Sequence, residues 1–331
     1  MSDTILITGG AGFIGYFLAK KLLKKGYRVD LLDNFSRGVR DSDLQELEEN
    51  EGLRCLEVDL LDYDSVIALE KNYVAIFHLA AIIGVRHVLN RPYEVLVHNV
   101  RMLDHVISLA KRQKDHTRLF FASTSEVYAG TLASGQLPIP TPEVAPLIVS
   151  ALDQPRSAYM LSKIYGEMMC QNSRIPFTIF RPHNVYGPRM GMAHVIPEQL
   201  GRIWEASSGD RIKVRSADHR RSFCYIDDAV EMLFRMLRAP SCVDRTLNLG
   251  VQDPEIAISE LVKKCIETVG KELHIDEADP DSGSPVRRAP EMTVTTELLN
   301  YEPRIDLMSG LATTWEWYRK KVFTGSNISA L

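Results

Sequence analysis

The sequence predicts an α/β fold with a doubly wound parallel sheet, followed by a smaller C-terminal lobe. From residue 4 to Pro182, short apolar runs rich in β-branched residues alternate with stretches of helical spacing. Such alternation is typical of a parallel sheet that is covered by helices on both faces. The alternation weakens after Pro182. We therefore predict a first domain over residues 1–182, to which residues 221–250 return, and a second lobe over residues 183–220 and 251–331.

The composition is that of a globular protein and argues against several classes of partner. Of the 331 residues, 45% are hydrophobic and 25% are charged. The net charge of −4 includes no long basic block, so we expect no nucleic-acid partner. No apolar run approaches the roughly 18 residues of a transmembrane helix, and we expect no membrane partner. The five cysteines form no Cys-x-x-Cys pair, which predicts a cytoplasmic protein without a metal cluster.

The residues between the first strand and the first helix predict a phosphate-binding turn. Gly9 permits a tight turn, Gly12 lets the backbone approach a pyrophosphate, and Gly15 lets the helix lie close to the sheet. The helix begins near Phe13 and Ile14, where free N–H groups and the positive end of the helix dipole would face the phosphates. The spacing is Gly-x-x-Gly-x-x-Gly. A tight turn without a ligand is the alternative interpretation.

Residues at the ends of the following predicted strands would complete a dinucleotide site. Asp33 lies about twenty residues beyond the glycines, where a carboxylate accepts hydrogen bonds from the adenosine ribose. A carboxylate here would repel a 2′-phosphate, which favours NAD over NADP, although Arg37 lies close by. Asp59 would equally cap a helix, and the alanines after the fourth strand would equally serve packing. The other predicted cofactor-binding residues are Asn34, Asp59, Leu60, Leu79, Ala80, Ala81 and Asn99.

Tyr159 and Lys163 predict an acid–base pair on one helix face, because they are four residues apart. An ammonium group near a phenol favours the phenolate and lowers the pKa of the tyrosine. Tyr159 could then serve as a base near neutral pH. Lys163 could also hydrogen-bond a nicotinamide ribose, and Thr124, after the fifth predicted strand, could donate to the same substrate oxygen as Tyr159.

Together these motifs resemble those of the extended short-chain dehydrogenases/reductases that act on nucleotide sugars. The resemblance spans nearly the whole chain, including residues 8–15, 123–128, 159–163 and 181–189. It implies a Rossmann fold and a bound NAD that takes a hydride from C4 of the sugar, while Tyr159 takes the proton of the C4 hydroxyl. It also implies a nucleotide-diphosphate sugar, a UDP-sugar in particular, as the substrate. By family analogy we expect a homodimer built from the helices at 92–112 and 157–170.

The resemblance implies that the second lobe binds the nucleotide sugar. Guanidinium groups suit a diphosphate because they bind it in a two-pronged manner. Asn184 resembles an asparagine that contacts the diphosphate, and Glu291 resembles an acidic residue that binds the nucleotide ribose. His183 departs from the pattern, since relatives often carry an aromatic residue there. The predicted substrate-binding residues are Ser125, Asn184, Arg189, Val195, Arg221, Arg288 and Glu291.

Glu126 carries the prediction of the reaction. Simple 4-epimerases of this group tend to have small residues here, and dTDP-glucose dehydratases have Asp-Glu. Ser125-Glu126 resembles UDP-glucuronate decarboxylases and GDP-mannose 4,6-dehydratases instead. A carboxylate beside C5 of the sugar can protonate that carbon after decarboxylation or deprotonate it in a dehydration. We favour decarboxylation of a UDP-uronate, with 4,6-dehydration or 4-epimerisation as alternatives.

A function of another class also fits the cofactor motifs, namely an NAD-binding sensor or scaffold without catalysis. The complete set of Thr124, Tyr159 and Lys163 argues against it.

Overall fold

The computed structural model describes residues 3–69, 72–113, 117–149, 152–279 and 286–324. The strands in these residues are β1 (Thr4–Thr8), β2 (Arg28–Asp33), β3 (Leu53–Glu57), β4 (Tyr73–His78), β5 (Arg118–Ala122), β6 (Phe177–Pro182), β7 (Val185–Tyr186), β8 (Arg211–Arg215), β9 (Arg220–Arg221), β10 (Cys224–Tyr225), β11 (Arg245–Leu249), β12 (Ile256–Ala257), β13 (His274–Ala278) and β14 (Arg287–Arg288). The helices are α1 (Phe13–Lys24), α2 (Ser42–Glu48), α3 (Tyr63–Ile67), α4 (Val85–Asn90), α5 (Pro92–Lys111), α6 (Ala129–Ala133), α7 (Pro155–Asn172), α8 (Val195–Glu205), α9 (Ile226–Arg238), α10 (Ile258–Val269), α11 (Thr293–Leu299) and α12 (Leu307–Tyr318). Shorter helical turns are Ser125–Tyr128, Pro240–Cys242 and Arg319–Phe323.

Seven strands of the described residues form one sheet in the order β11-β6-β5-β4-β1-β2-β3. All neighbouring strands are parallel. The order runs outward from β1 in both directions, which makes the sheet doubly wound and confirms the predicted fold class. β11 is a strand that the sequence pattern did not reveal, and it lies within the segment predicted to return to the first domain. The division into two lobes stays a prediction.

Side chains of the central strands alternate between two apolar cores, one on each face of the sheet. In β1, Ile5 and Ile7 belong to the core that includes α1 and α9, whereas Leu6 belongs to the core that includes α5 and α7. All three side chains are completely buried. A parallel strand that is buried on both faces needs apolar residues at successive positions. This requirement explains the uninterrupted apolar run at the start of the chain.

The short sheets after β6 bring two distant arginines together. β9 pairs with β14 in a parallel register that places Arg221 opposite Arg288. β12 pairs with the other edge of β9. Residues that are 67 positions apart in the sequence thus become neighbours, a pairing that no local pattern could indicate.

α9 begins later than the sequence predicts, because the residues before it are extended. The sequence predicts a helix over 223–237, but Cys224 and Tyr225 pair with Val185 and Tyr186 as two short parallel strands. In the ranges that the structure covers, no helix has both the length and the apolarity to cross a membrane. No group of three or more His, Cys, Asp or Glu side chains in those ranges could hold a metal ion.

Candidate active site

The turn after β1 lies against the loop after β4, at the point where the strand order reverses. Gly9 has a φ of 69°, and a Cβ atom there would lie 2.7 Å from the backbone nitrogen of Ala80. A Cβ atom on Gly15 would lie 2.5 Å from the carbonyl oxygen of Gly9. Gly12 precedes α1, whose first turn has no capping side chain. The first N–H groups of α1 can therefore bind phosphate oxygens.

Asp33 lies at the end of β2 beside this turn and is 9% exposed. Its carboxylate accepts hydrogen bonds from the backbone nitrogens of Ala11 at 3.1 Å and Phe35 at 2.9 Å. Burial raises the pKa of Asp33, although these hydrogen bonds and the charge of Arg37 act in the opposite direction. The side chain is thus held at the position where a carboxylate binds an adenosine ribose. The glycine turn and Asp33 together fit a dinucleotide.

Two other predicted cofactor-binding side chains brace their own turns. Asn34 is exposed, and its Oδ1 accepts a hydrogen bond from the backbone nitrogen of Ser36 at 3.1 Å. Asp59 is exposed as well and accepts one from the backbone nitrogen of Leu61 at 2.9 Å. Both contacts are those of ordinary turn residues. Binding of the cofactor by these two side chains stays a prediction.

Asn99 is buried in α5 and holds the loop that follows β4. Its Oδ1 accepts a hydrogen bond from the backbone nitrogen of Ile82 at 2.7 Å. Its Nδ2 donates to the carbonyl oxygen of Ile82 at 3.1 Å and to the Ser162 hydroxyl at 3.2 Å. Asn99 therefore orders the loop 79–82 beside the glycine turn, which supports the cofactor site indirectly.

The side chains of Tyr159 and Thr124 are neighbours, and the Thr124 hydroxyl lowers the pKa of the Tyr159 phenol. Tyr159 lies in α7, and Thr124 follows β5, so two different elements bring the phenol and the hydroxyl together. The direction of the pKa shift corrects the sequence prediction. Burial raises the pKa of Tyr159 to about 12 and Glu126 adds to the rise, whereas Thr124 and Arg37 lower it.

The predicted activation of Tyr159 by Lys163 is wrong in this structure, because the ammonium group binds elsewhere. The Lys163 Nζ donates to the carbonyl oxygen of Ala122 at 2.7 Å and lies 5.9 Å from the centre of the Tyr159 ring. Burial lowers the pKa of Lys163 to about 8, although Cys170 and Glu167 act in the opposite direction. The four-residue spacing places both side chains on one helix face without bringing their polar atoms into contact.

Glu126 and two arginines come together where the turn after β5 lies beside β9 and β14. The Arg288 Nη1 lies 2.7 Å from the Glu126 Oε1, and the two side chains are 21% and 43% exposed. Arg221, opposite Arg288 in the register, is 9% exposed. Burial and repulsion by Arg288 lower the pKa of Arg221 to about 10, so it remains charged at neutral pH. Two guanidinium groups with one carboxylate form a net positive cluster that suits a diphosphate.

Arg189 lies apart from this cluster and has a structural partner. Its Nε and Nη2 donate to the carboxylate of Asp41 at 2.8 and 3.0 Å. Its guanidinium group lies 4.1 Å from the centre of the Tyr16 ring, and the residue is 5% exposed. Arg189 thus links the segment after β7 to α1 and α2, while its Nη1 is buried without a hydrogen-bond partner among the described residues. Its contact with a substrate stays a prediction.

The remaining predicted substrate residues lie on different elements of the fold. Asn184 has a φ of 42°, and its Nδ2 donates to the carbonyl oxygen of Ser222 at 3.0 Å. Ser125 is buried in the turn after β5, Val195 begins α8, and Glu291 is half-buried after β14. Their contacts with a substrate stay predictions.

A buried ion pair behind the Thr124–Glu126 turn was missed by sequence reasoning. The Arg181 Nε and Nη2 donate to the Glu167 carboxylate at 2.9 and 2.6 Å, and both side chains are 5% exposed. Glu167 continues the four-residue spacing of Tyr159 and Lys163 along α7. That spacing was the available signal for Glu167, whereas nothing local indicates Arg181 as its partner.

The parallel sheet, the glycine turn and the tyrosine–lysine helix define an extended short-chain dehydrogenase/reductase, as the motifs predict. The chain belongs to the NAD dependent epimerase/dehydratase family, whose model matches residues 5–250. This membership confirms the predictions of the family, of an enzyme and of NAD as the cofactor.

Two curated relatives and one solved structure illustrate the range of this family. The chain is 30% identical to a UDP-N-acetyl-alpha-D-glucosaminuronate decarboxylase from Bacillus cytotoxicus, over 97% of this chain and 99% of that protein. It is 30% identical to UDP-glucuronic acid decarboxylase 1 from Xenopus tropicalis, over 96% and 72% of the two chains. It superimposes on a UDP-glucose 4-epimerase from Thermotoga maritima with a TM-score of 0.81, at 25% identity and over 96% and 99% of the chains. These proteins differ in their reactions.

Proposed function

We propose that this protein decarboxylates a UDP-uronic acid through a 4-keto intermediate. The class, an NAD-dependent enzyme that modifies a nucleotide sugar, agrees with its family and relatives. The observation that carries the choice of reaction is the position of Glu126. Its carboxylate lies two residues after Thr124, a neighbour of Tyr159, and it faces the arginine cluster.

The proposed chemistry begins at C4 of the sugar. The chemistry that NAD supplies when bound is the reversible removal of a hydride from C4. Tyr159 takes the proton of the C4 hydroxyl in its phenolate form, and Thr124 holds that oxygen by a hydrogen bond. Because the raised pKa of Tyr159 makes the phenolate scarce at neutral pH, this step should accelerate as the pH rises. The product carries a ketone at C4, which is β to the C6 carboxylate. The bond between C5 and C6 then breaks, its electron pair moves toward the C4 oxygen, and carbon dioxide leaves.

Glu126 completes the proposed reaction by giving a proton to C5. Tyr159 returns its proton to the C4 oxygen as the ketone is reduced again, so the products are a UDP-pentose and carbon dioxide. The carboxylate needs access to water to regain its proton, and the Glu126 side chain is 43% exposed. Arg288 and Arg221 bind the diphosphate in this proposal, and Glu291 binds the nucleotide ribose.

A 4,6-dehydration is the second candidate, because the same carboxylate could remove a proton from C5 instead. A 4-epimerisation is the third, and it needs no group at C5. The complete set of Thr124, Tyr159 and Lys163 argues against an NAD-binding sensor without catalysis. The two curated relatives described above, both uronate decarboxylases, add support to decarboxylation beyond the position of Glu126.

We also propose that the protein is a homodimer and is cytoplasmic. α5 and α7 pack against each other and would form a four-helix bundle with a second copy. α7 exposes two large side chains, Tyr165 at 54% and Met168 at 63%. All five cysteines are free, which suits a reducing compartment.

A panel of nucleotide sugars tests the proposed reaction. The purified protein is incubated separately with UDP-glucuronate, UDP-N-acetylglucosaminuronate, UDP-glucose and GDP-mannose, and the products are identified by NMR. We expect a UDP-linked pentose from one of the two uronates. Formation of a 4-keto-6-deoxy sugar from a hexose nucleotide would show that the reaction is a dehydration. Formation of a uronate inverted at C4 would show that it is an epimerisation.

A further inference from the structure

The buried pair of Glu167 and Arg181 connects to both ends of the turn that carries Thr124 and Glu126. The Ser123 hydroxyl, immediately before Thr124, donates to the Glu167 Oε1 at 2.5 Å. The Arg181 Nη1 donates to the Tyr128 hydroxyl at 2.6 Å. Ser123 and Tyr128 are 4% and 3% exposed. One ion pair therefore holds a residue on each side of the Thr124–Glu126 segment, namely Ser123 before it and Tyr128 after it.

The same pair is fixed to the helix that carries the proposed acid–base group. Glu167 lies one turn after Lys163 and two turns after Tyr159, on the same face of α7. The Lys163 Nζ donates to the carbonyl oxygen of Ala122, at the end of the strand that leads into the turn. Displacement of α7 relative to the turn would have to break contacts of both Glu167 and Lys163.

A third connection runs from Tyr128 through Asn248 to Glu291. The Tyr128 hydroxyl lies 3.3 Å from the Asn248 Oδ1. The Asn248 Nδ2 donates to the carbonyl oxygens of Thr141 at 2.9 Å and Glu291 at 3.1 Å. Glu291 follows Arg288 by three residues. The network thus extends from the catalytic helix, through the turn, to the backbone next to the arginine cluster.

Stability alone does not account for this ion pair. Burying two opposite charges costs desolvation energy that their attraction often only offsets, and apolar residues of similar volume are frequently as stable. What the pair adds is a fixed orientation of the two side chains, because the bidentate geometry of arginine and carboxylate permits little rotation or shift. A fixed orientation matters most where reacting groups from separate elements must meet.

We propose that Glu167 and Arg181 are positioning residues, which set the Thr124–Glu126 turn against Tyr159 and Lys163. Neither is assigned a contact with substrate or cofactor. Ser123 fixes the position of the adjacent Thr124, and Tyr128 fixes the position of Glu126. The inference rests on the proposed function only in assigning a later chemical step to Glu126.

Tyr128→Phe is the first variant for testing this proposal, since it removes one hydroxyl and leaves the ion pair intact. We expect kcat to fall roughly 10- to 100-fold with KM nearly unchanged, because displacement of a catalytic group slows chemistry more than binding. The hydroxyl contacts Arg181, Asn248 and the carbonyl oxygen of Pro142, and loss of these contacts should lower the melting temperature by about 5 °C or less. Tyr63→Phe, the same change at an exposed position of α3, is the matched control and should alter neither quantity.

The step that slows distinguishes positioning from general weakening. Reduced nicotinamide on the enzyme is followed by its absorbance after mixing with whichever nucleotide sugar reduces it. Tyr128→Phe should leave the appearance of this signal intact and delay its decay, since Tyr128 lies beside Glu126. Ser123→Ala should slow the appearance instead. This readout requires only oxidation at C4, so failure of decarboxylation would not be mistaken for failure of this proposal.

Hydrogen exchange of the backbone amides provides a readout that is independent of activity. In Tyr128→Phe, exchange at residues 124–128 should accelerate, while exchange in β1 should not. The conservative variant Arg181→Lys should retain less than half of the wild-type kcat, because lysine cannot donate to Glu167 and Tyr128 in the same geometry. Wild-type kcat in Tyr128→Phe, or unchanged exchange at residues 124–128, would overturn the proposal.

Discussion

Arg288 and Glu126 form an ion pair that joins β14 to the turn after β5, with 2.7 Å between Nη1 and Oε1. Arg288 comes from β14 and Glu126 from a turn of the central sheet. Both side chains are partly exposed, and such pairs typically contribute only about 0–1 kcal/mol to stability. The pair therefore leaves both groups available for a substrate. It places the cation proposed for the diphosphate beside the carboxylate proposed for C5.

Arg288→Met should weaken substrate binding. Loss of charged hydrogen bonds to a diphosphate corresponds to about 1.5–3 kcal/mol, or roughly a 10- to 100-fold increase in KM. Arg287→Met is the matched control, because the neighbouring guanidinium group pairs with Glu255 instead and its side chain is 48% exposed. Steady-state kinetics on both variants test this assignment. Equal KM values in the two variants would contradict it.

Tyr159→Phe should lower kcat by roughly 10²- to 10⁴-fold, the range for removal of a general acid–base group. The variant should retain its NAD, which can be measured by releasing the cofactor from the purified protein. Tyr63→Phe, in α3, should keep wild-type activity because that side chain is 47% exposed. More than a tenth of the wild-type kcat in Tyr159→Phe would exclude the phenol as the base.

Two buried histidines should destabilise the protein in acid. Burial lowers the pKa values of His78 and His183 to about 3, and each faces a cation, Lys163 for His78 and Arg181 with Arg288 for His183. The unfolded chain would bind these protons near pH 6.5. Between about pH 6.5 and 3 the unfolded state therefore binds more protons, and the free energy of unfolding falls as the pH falls.

His183→Phe isolates one of these contributions. Urea unfolding from pH 7 to pH 4 should show a weaker loss of stability in the variant than in the wild type. At about 1.4 kcal/mol per pKa unit, the two curves should converge by on the order of 3 kcal/mol toward pH 4. Parallel curves would mean that His183 titrates normally in the folded protein.

Met168→Asp should dissociate the proposed dimer. The side chain is 63% exposed in α7, and a carboxylate in an apolar helix bundle is strongly unfavourable. Val294→Asp places the same charge on α11, where the side chain is 42% exposed, and should leave assembly unchanged. Sedimentation velocity measures the oligomeric state of both variants. A wild-type monomer, or a Met168→Asp dimer, would exclude this helix face as the interface.

Local patterns predicted the parts of the molecule that depend on local geometry. The glycine turn was predictable because Gly9 needs a positive φ and Gly15 meets the backbone of Gly9. The spacing of Tyr159 and Lys163 likewise predicted a shared helix face. The family resemblance added the arginines, and the structure brings Arg221 and Arg288 together through strand pairing.

Partners across long sequence distances were not predictable. Arg189 pairs with Asp41, which is 148 positions away, so a motif that contains the arginine could not identify its partner. The pKa of Tyr159 depends on where the Lys163 ammonium group binds, and it binds the Ala122 carbonyl. Neither contact could be predicted, because a sequence pattern places a side chain on an element without fixing the contact of its polar atoms.

The most direct test is the amount of carbon dioxide released per molecule of UDP-uronate consumed. The wild type should release one carbon dioxide per sugar. Glu126→Gln should release at most about one carbon dioxide per active site and retain reduced cofactor, because C5 is not protonated and the ketone is not reduced again, whereas Glu94→Gln, an exposed control in α5, should behave as the wild type. Consumption of either uronate without carbon dioxide, or full turnover by Glu126→Gln, would contradict the proposed decarboxylation by Glu126.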